Sequence, residues 1–267
     1  MQIKPKKRLG QNFLTDKNIQ SKIIAACNFG KNDIFLEIGS GRGEFTKPIS
    51  LKVKKIYAIE LDQELAEKLK SDFRDCKNVV IINENILKFD FNKHFKNVKS
   101  VKIFGNIPYY ISSPIIEYIF KRSKKISDVF LTVQKEFADR IIANPGSKDY
   151  GRLSCFAQYY SKPGVLFNIK KGSFYPVPKV DSSFLHLRIR QEKLLNKVEE
   201  KKLFELIKTA FSKRRKMLRN NLKGMIKAGK LEGFFRHYNI NPQVRAEALS
   251  LEEFIKLLKE KNIEKNY

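Results

Sequence analysis

Four short stretches carry residue types and spacings that could do chemistry. The first is Glu37-Ile38-Gly39-Ser40-Gly41-Arg42-Gly43. Alternating glycines behind an apolar run allow a tight turn and close approach of the backbone to a ligand. The spacing is GxGxG, neither the GxGxxG of dinucleotide folds nor the GxxxxGK[ST] of a P-loop. The second is Glu60, 21 residues beyond Gly39, where an acid at a strand end can accept both hydroxyls of a ribose. The third, Glu84-Asn85-Ile86, sets a polar group and an apolar face where an adenine would lie. The fourth is Asn106-Ile107-Pro108-Tyr109. A ring-conjugated amine is a poor nucleophile because its lone pair is delocalised. The Asn106 side-chain oxygen and a backbone carbonyl before or at Pro108 can accept its N–H bonds and favour a more tetrahedral nitrogen, held in line with an electrophile. Pro108 removes a donor and stiffens the turn, and Tyr109 offers a face to a flipped-out base. Taken singly, each stretch also reads as an ordinary turn or a solvated strand end.

Such a set needs a scaffold that ends strand after strand along one edge. Residues 1–189 alternate β-branched or aromatic runs with helical stretches. The strand candidates are 34–39, 55–61, 79–85, 101–107, 128–134, 164–169 and 182–189. Over 17–27, Ile19, Ile23 and Ile24 share one face behind Asp16 as N-cap. This alternation predicts an α/β, Rossmann-like, mostly parallel sheet with helices on both faces. The proline-rich turn Tyr175–Lys179 predicts an antiparallel end to it. From 190 the strand signal stops. Leu203, Ile207, Ala210 and Phe211 sit at helical spacing over 198–211. Met217, Leu218 and Leu222 continue it over 213–223, and a last helix covers 251–261 with Ser250 as N-cap. Two domains follow: 1–189 with the chemistry, and 190–267, a small all-helical domain with 20 basic and 10 acidic residues.

Apolar residues make up 42%, so a core can be buried and disorder is excluded as the main state. No apolar run approaches the ~20 residues that cross a bilayer. The basic N-terminus has no apolar stretch behind it and does not read as a secretory leader. Cys27, Cys76 and Cys155 are far apart, as are His94, His186 and His237, which argues against a disulfide framework or a metal site and fits a reducing cytoplasm. Lys+Arg 54 against Asp+Glu 28 gives +26, a surface that attracts polyanions. Part of that is a general bias, since 41 of the 54 are Lys and the chain has no Trp. A membrane surface is the competing partner, but no long basic amphipathic helix with an aromatic face stands out. The run Lys213, Arg214, Arg215, Lys216, Arg219 and Lys223 has no acid within it. A solvated helix face is one reading; three Arg among only 13 favour phosphate contact instead.

The glycine turn, Glu60 and Asn85 in series resemble a class I S-adenosylmethionine-dependent methyltransferase. Residues 106–109 have the form [DNS]-x-P-[FY], the tetrapeptide of such enzymes that act on conjugated amines. RLGQNFL (8–14), LEIGSGRGEFT (36–46), IELD (59–62), GNIPYYIS (105–112), QKEFADR (134–140), YGRLS (150–154), FYPVPKVDSS (174–183) and KRRKMLRNNL (213–222) occur in order and span nearly the whole chain. Together they resemble the KsgA-type bacterial small-subunit rRNA adenine dimethyltransferases. The resemblance implies a monomer that uses S-adenosylmethionine to dimethylate the N6 amines of two adjacent adenines. These lie in the 3′-terminal hairpin loop of 16S rRNA within the small ribosomal subunit, so the activity belongs to subunit biogenesis. It implies cofactor contacts at Asn12, Leu14, Gly39, Gly41, Glu60, Asn85 and Asn106. It places the target adenine at Asn106, Pro108, Tyr109 and Phe174, and rRNA contacts at Arg214, Arg215, Lys216, Arg219 and Lys223. It makes the basic N-terminal segment, otherwise readable as a loose tail, one that closes over the cofactor and touches RNA. Two positions depart from the family's pattern: Asn85 stands where Asp is usual, and Tyr110 where Asn is frequent. Asn85 is expected to bond the cofactor's adenine amine through its side-chain carbonyl. Two rivals remain. Erythromycin-resistance methyltransferases share the fold and chemistry but target large-subunit rRNA. A catalytically idle assembly or transcription factor on this fold would need only nucleic-acid affinity.

Overall fold

Runs of β-branched and aromatic residues without polar interruption make strands that are buried on both faces. In the computed structural model, which describes residues 3–262, nine strands form. They are β1 (Phe13–Leu14), β2 (Ile34–Ile38), β3 (Lys55–Glu60), β4 (Val79–Asn83), β5 (Val101–Asn106), β6 (Ile126–Gln134), β7 (Ser161–Ile169), β8 (Phe174–Tyr175) and β9 (Ser182–Ile189). The seven longer ones are those expected from sequence, and they make one sheet in the order β4-β3-β2-β5-β6-β9-β7. The pairs β4–β3, β3–β2, β2–β5 and β5–β6 are parallel, while β6–β9 is antiparallel, the antiparallel end expected from sequence. Phe35, Leu36 and Ile38 of β2 are buried with Ile56, Ile59, Ile103 and Phe104 of its neighbours.

Helices begin where a side chain can satisfy their first N–H groups. Helix α1 (Lys17–Ala26) starts behind Asp16, whose carboxylate accepts from Asn18 and Ile19 N–H. A five-residue α2 (Thr46–Ser50) follows the glycine turn, and α3 (Gln63–Asp72) starts at Asp62, which accepts Glu64 N–H. The ribbon of β1 and β8 pairs Phe13 with Tyr175 and Leu14 with Phe174. Strands of two residues leave no periodicity to read, and neither was expected.

The chain divides into two compact units: residues up to 138 with 162–191, and residues 139–161 with those from 192 onward. A boundary at 189/190 assigns 139–161 to the sheet. These residues instead share a core with the later helices, where Tyr150, Cys155 and Tyr159 pack with Leu203, Leu206, Phe234, Phe254 and Leu257. An apolar helical face does not state its partner. The helix read over 213–223 is also shorter than expected. Its regular part is one turn, Leu218–Asn221. Asn221 Nδ2 donates to the carbonyls of Ala210 (2.6 Å) and Lys213 (3.1 Å), closing the preceding helix Lys197–Ala210 and leaving Lys213–Lys216 in an exposed turn. The last helix, Leu251–Asn262, opens with a reciprocal cap: Ser250 Oγ accepts Glu253 N–H and Glu253 Oε2 accepts Ser250 N–H.

Glu37 holds the glycine turn from behind. It lies on β2, is 1% exposed, and its Oε2 accepts the Thr46 hydroxyl at 2.6 Å, which ties the strand to α2. Burial pushes its carboxyl up to about 8, with the Thr46 bond opposing and the Glu44 and Glu60 charges adding to the rise. The folded state therefore binds this proton more tightly than the unfolded chain. Stability from this group is full below about pH 4.5 and declines as pH rises towards about 8. Glu37→Gln should flatten the fall in urea midpoint between pH 5 and 8. A slope equal to the parent's would exclude Glu37 as its source.

Candidate active site

Parallel register brings the chemically loaded residues to one edge. Ile38 of β2 is level with Ile59 of β3 and Gly105 of β5, and Glu60 is level with Asn83. The residues that follow, Gly39, Glu84-Asn85 and Asn106, therefore emerge beside Glu60 at the carboxyl ends of the strands. The sheet order reverses there, between β2 and β5, which is where open α/β sheets bind ligands. A cleft with about 840 Å³ of empty space, partly open to solvent, lies at that edge. Gly39, Gly41, Glu60, Glu84, Asn85, Ile86, Asn106, Ile107, Pro108, Tyr109, Tyr110 and Phe174 line it, and Leu9 to Phe13 form another wall.

The glycine turn and Glu60 are built as one unit. Gly39 N–H and Ser40 N–H donate to the Ile59 carbonyl at 2.9 and 3.2 Å. Gly41 N–H donates to Glu60 Oε2 at 2.8 Å, and Asp62 N–H to Glu60 Oε1 at 2.9 Å. Gly41 has φ +58°, and a Cβ there would lie 3.1 Å from the Phe13 ring, so both its backbone and its surroundings call for glycine. Glu60 is 6% exposed. Burial raises its carboxyl above the usual range, and the Asp62 and Gly41 N–H groups offset part of that. Each oxygen has spent one lone pair on the backbone and keeps another for a ligand hydroxyl.

Asn106 is aimed. Its Nδ2 donates to the Asn12 carbonyl at 3.0 Å, which turns Oδ1 the other way as an acceptor. The Pro108 carbonyl is engaged: it accepts Ile111 N–H at 3.2 Å and lies 3.5 Å from the Ser112 hydroxyl. Two donors already approach it, so the Ile107 carbonyl, the one before the proline, becomes the candidate second acceptor. Tyr109 is half-buried, its hydroxyl 2.7 Å from Ser182 Oγ. Burial raises its phenol, with the Ser182 bond opposing. Asn85 Oδ1 accepts Leu87 N–H at 2.9 Å, so the oxygen expected to meet an adenine amine is already held in a local turn.

Of the expected site residues, Leu14 sits elsewhere and Phe174 is almost wholly buried. Leu14 is 2% exposed and packs in the core with Ile23, Phe35 and Phe174; its neighbour Phe13 takes the wall position. Phe174 reaches the cleft but is also 2% exposed and shares that core, so as β8 stands it offers a base almost no surface. Leu14 and Phe174 are partners across the β1–β8 ribbon and enter the core together. The sequence reading missed Lys6, Gln11 and Asp62. Asp62 accepts Lys6 Nζ at 2.7 Å and Gln11 Nε2 at 3.2 Å, while Arg42 covers the Phe13 ring at 4.4 Å and donates to the Ile3 carbonyl. These contacts fasten the N-terminal segment beside the glycine turn. Burial alone would raise the Asp62 carboxyl, but Lys6 and Gln11 outweigh it and hold it below the ordinary value. Asp62, just past the end of β3, carries no signal in sequence that a Lys 56 residues away is its partner.

In the second unit, Arg214, Arg215, Lys216, Arg219 and Lys223 are all exposed and form no ion pair among the described residues. Arg214 Nη2 donates to the Lys148 carbonyl. No described helix is long and apolar enough to cross a membrane.

A Rossmann-like sheet with a glycine turn after β2, a ribose-type acid at the end of β3 and an Asn-x-Pro-Tyr turn at the end of β5 is the framework of a class I methyltransferase of amino nitrogens. Residues 2–262 match the family model for ribosomal RNA adenine dimethylase, and the chain belongs to that family. It is 42% identical over 261 residues to the ribosomal RNA small subunit methyltransferase A of Caldanaerobacter subterraneus subsp. tengcongensis, covering 96% of each chain. It is 38% identical to the protein of that name from Clostridium acetobutylicum, covering 94% of this chain and 91% of the other. A crystal structure of a dimethyladenosine transferase from Plasmodium falciparum superposes with TM-score 0.79 at 27% identity, covering 94% of this chain and 98% of that one. The 23S rRNA methyltransferase ErmE superposes with TM-score 0.77 at 21% identity, covering 94% and 99%, a likeness of fold.

The family uses S-adenosylmethionine, and the cleft fits it. Glu60 keeps lone pairs for a diol, Gly41 lacks the Cβ that would fill the turn, and Ile86 supplies an apolar wall. Asn85 Oδ1 keeps one lone pair beside the Leu87 N–H, while the other terminal group of this side chain is the Nδ2 donor, which is mismatched to an adenine amine. Asn85→Asp keeps the local turn and adds a free acceptor. It should tighten S-adenosylmethionine binding about three- to ten-fold in calorimetry, the worth of one net hydrogen bond. An unchanged Kd would place the adenine edge elsewhere.

Proposed function

We propose that this adenine dimethylase acts on the N6 amines of two adjacent adenines in the 3′-terminal hairpin loop of 16S rRNA. Its substrate is the small ribosomal subunit, and it works as a cytoplasmic monomer in subunit biogenesis. The observation that carries the reading is the orientation of Asn106, whose amide is pinned by the Asn12 carbonyl so that its oxygen is the free acceptor. The relatives named for small-subunit methylation favour the small subunit over the large.

Glu60, Gly39, Gly41 and Asn85 hold the cofactor, with Asn12 and Phe13 in the wall over it. The cofactor supplies an electrophilic methyl on a sulfonium. Asn106 Oδ1 and the Ile107 carbonyl accept the two N–H bonds of the target amine. Both contacts draw the nitrogen towards a tetrahedral shape and turn its lone pair to the methyl. Neither oxygen is a base, so the surplus proton leaves to water. Tyr109, tethered by Ser182, gives the base a fixed face. A clamp with Phe174 on the second face requires β8 to lift that ring from the core. After the first methyl one N–H remains, and stacking, which does not count amine hydrogens, keeps the base in place for the second.

Dimethyladenosine is the expected end product, with the monomethyl species transient in time-resolved mass spectrometry of the rRNA digest. Asn106→Ala should lower transfer by about two to three orders of magnitude, the range for one preorganised polar contact in a transition state. A parent enzyme that stops at one methyl would overturn the two-step reading. The same digests, run on small- and large-subunit rRNA, test the choice of subunit.

Arg214, Arg215, Lys216, Arg219 and Lys223 are assigned to rRNA phosphates. Replacing Arg214, Arg215 and Arg219 with Ala should weaken subunit binding and reduce the slope of log K against log salt by about two units, since each phosphate contact releases counterions and a lost contact no longer does. Cofactor binding should be unaffected. An equal slope in parent and variant would make the run a solvated surface.

A further inference from the structure

The cofactor and amine chemistry leaves Tyr110 unused. It lines the same cleft as Asn106 and Tyr109, yet it is 62% exposed. Tyr109, Tyr110 and Ile111 form a single 3₁₀ turn. In such a turn consecutive side chains point about 120° apart, so the two tyrosines serve different faces. Tyr109 is turned to Ser182. The Tyr110 hydroxyl has no hydrogen-bond partner among the described residues. Its ring is nevertheless braced. Gly10 has φ +62°, and a Cβ there would lie 2.9 Å from Tyr110 Cε1, 3.1 Å from Cδ1 and 3.3 Å from Pro108 Cβ. The N-terminal segment thus passes the ring edge with no side chain between them, leaving the rest of the ring open at the cleft mouth.

We infer that Tyr110 is a stacking platform for the nucleotide that flanks the target adenine, and so helps to select the rRNA site. This rests on the proposed placement of an adenine at Asn106. A base drawn out of a strand leaves its neighbour unstacked, with a free π-face. An aromatic ring beside the pocket, fixed along one edge and lacking a polar tie, is suited to receive that face at little ordering cost. The platform reads a neighbour by its face, so it recognises an unstacked single strand and rejects a continuous duplex.

The test uses the full chain and small subunits whose rRNA is unmethylated. Tyr110→Ala should raise KM for subunits about ten-fold, the effect of one lost base–aromatic stack, with the loss falling on KM rather than kcat. Tyr110→Phe keeps the face and should restore KM to within about two-fold of the parent. Subunits reconstituted with an abasic nucleotide 5′ or 3′ of the target supply the second arm. One of the two should raise the parent's KM about as much as Tyr110→Ala does, and the variant should be insensitive to it. Full additivity of the two changes, or a parent-like KM in Tyr110→Ala, would overturn the platform. So would a weakened S-adenosylmethionine Kd in calorimetry, which would assign the ring to the cofactor. A parent that methylates no subunit would instead overturn the placement of adenine, and the platform with it.

Discussion

The cleft depends on one buried carboxylate. Glu60 takes Gly41 N–H on one oxygen and Asp62 N–H on the other, so a single side chain sets the glycine turn after β2 and the start of α3. Asp62, oriented in this way, collects Lys6 and Gln11 from the N-terminal segment. Charge-assisted hydrogen bonds contribute about 1.5–3 kcal/mol each, yet the Glu60 carboxyl stays raised because burial outweighs the two N–H groups. The protein by itself under-satisfies this anion. A ligand that donates two hydroxyl protons completes it, which is why the position suits a ribose and why the site is defined before any ligand arrives.

The amine end of the cleft follows the opposite rule and uses neutral groups only. In the proposed reading the acceptors are Asn106 Oδ1 and the Ile107 carbonyl, and bonds made elsewhere support that choice: Asn106 Nδ2 donates to the Asn12 carbonyl, and the Pro108 carbonyl is taken by Ile111 N–H. A carboxylate at 106 would face the Asn12 carbonyl with a second acceptor and lose the orienting bond. The amide is the one side chain of its size that offers a donor for fixing and an acceptor for use. Proline matters here through its geometry, since its own carbonyl closes the turn by accepting Ile111 N–H.

Much of this was legible in the sequence because it depends on runs and spacings. Seven apolar strands and the loaded residues at their ends could be read, and parallel register then brought Gly39, Glu60, Asn85 and Asn106 to one edge without further information. What was not legible depends on partners far away in the chain. Lys6 to Asp62, Asn12 to Asn106 and Gly10 to Tyr110 are single contacts across 56 to 100 residues, with no periodicity to announce them. The burial of Leu14 and Phe174 follows from a two-residue ribbon, too short for an alternation. The helical spacing over 213–223 was real only for Leu218–Asn221, because the Asn221 side chain closes the helix before it. The exposed cations at Lys213–Lys216 then lie on a turn and not on a helix face.

The N-terminal segment links the two ends of the cleft. Its Lys6 and Gln11 hold Asp62 beside the ribose-type acid, its Asn12 carbonyl aims Asn106, and its Gly10 braces Tyr110. Leu9 to Phe13 also wall the cleft, so a ligand that packs against them stabilises this placement of the segment. Any such ligand therefore orders the amine acceptor and the Tyr110 ring at the same time. Coupling of this kind is reciprocal: if bound cofactor favours rRNA binding, bound rRNA must favour cofactor binding by the same factor. The segment's own bonds are partly exposed and individually weak, so the coupling is carried by their sharing one stretch of backbone and not by the strength of any one of them.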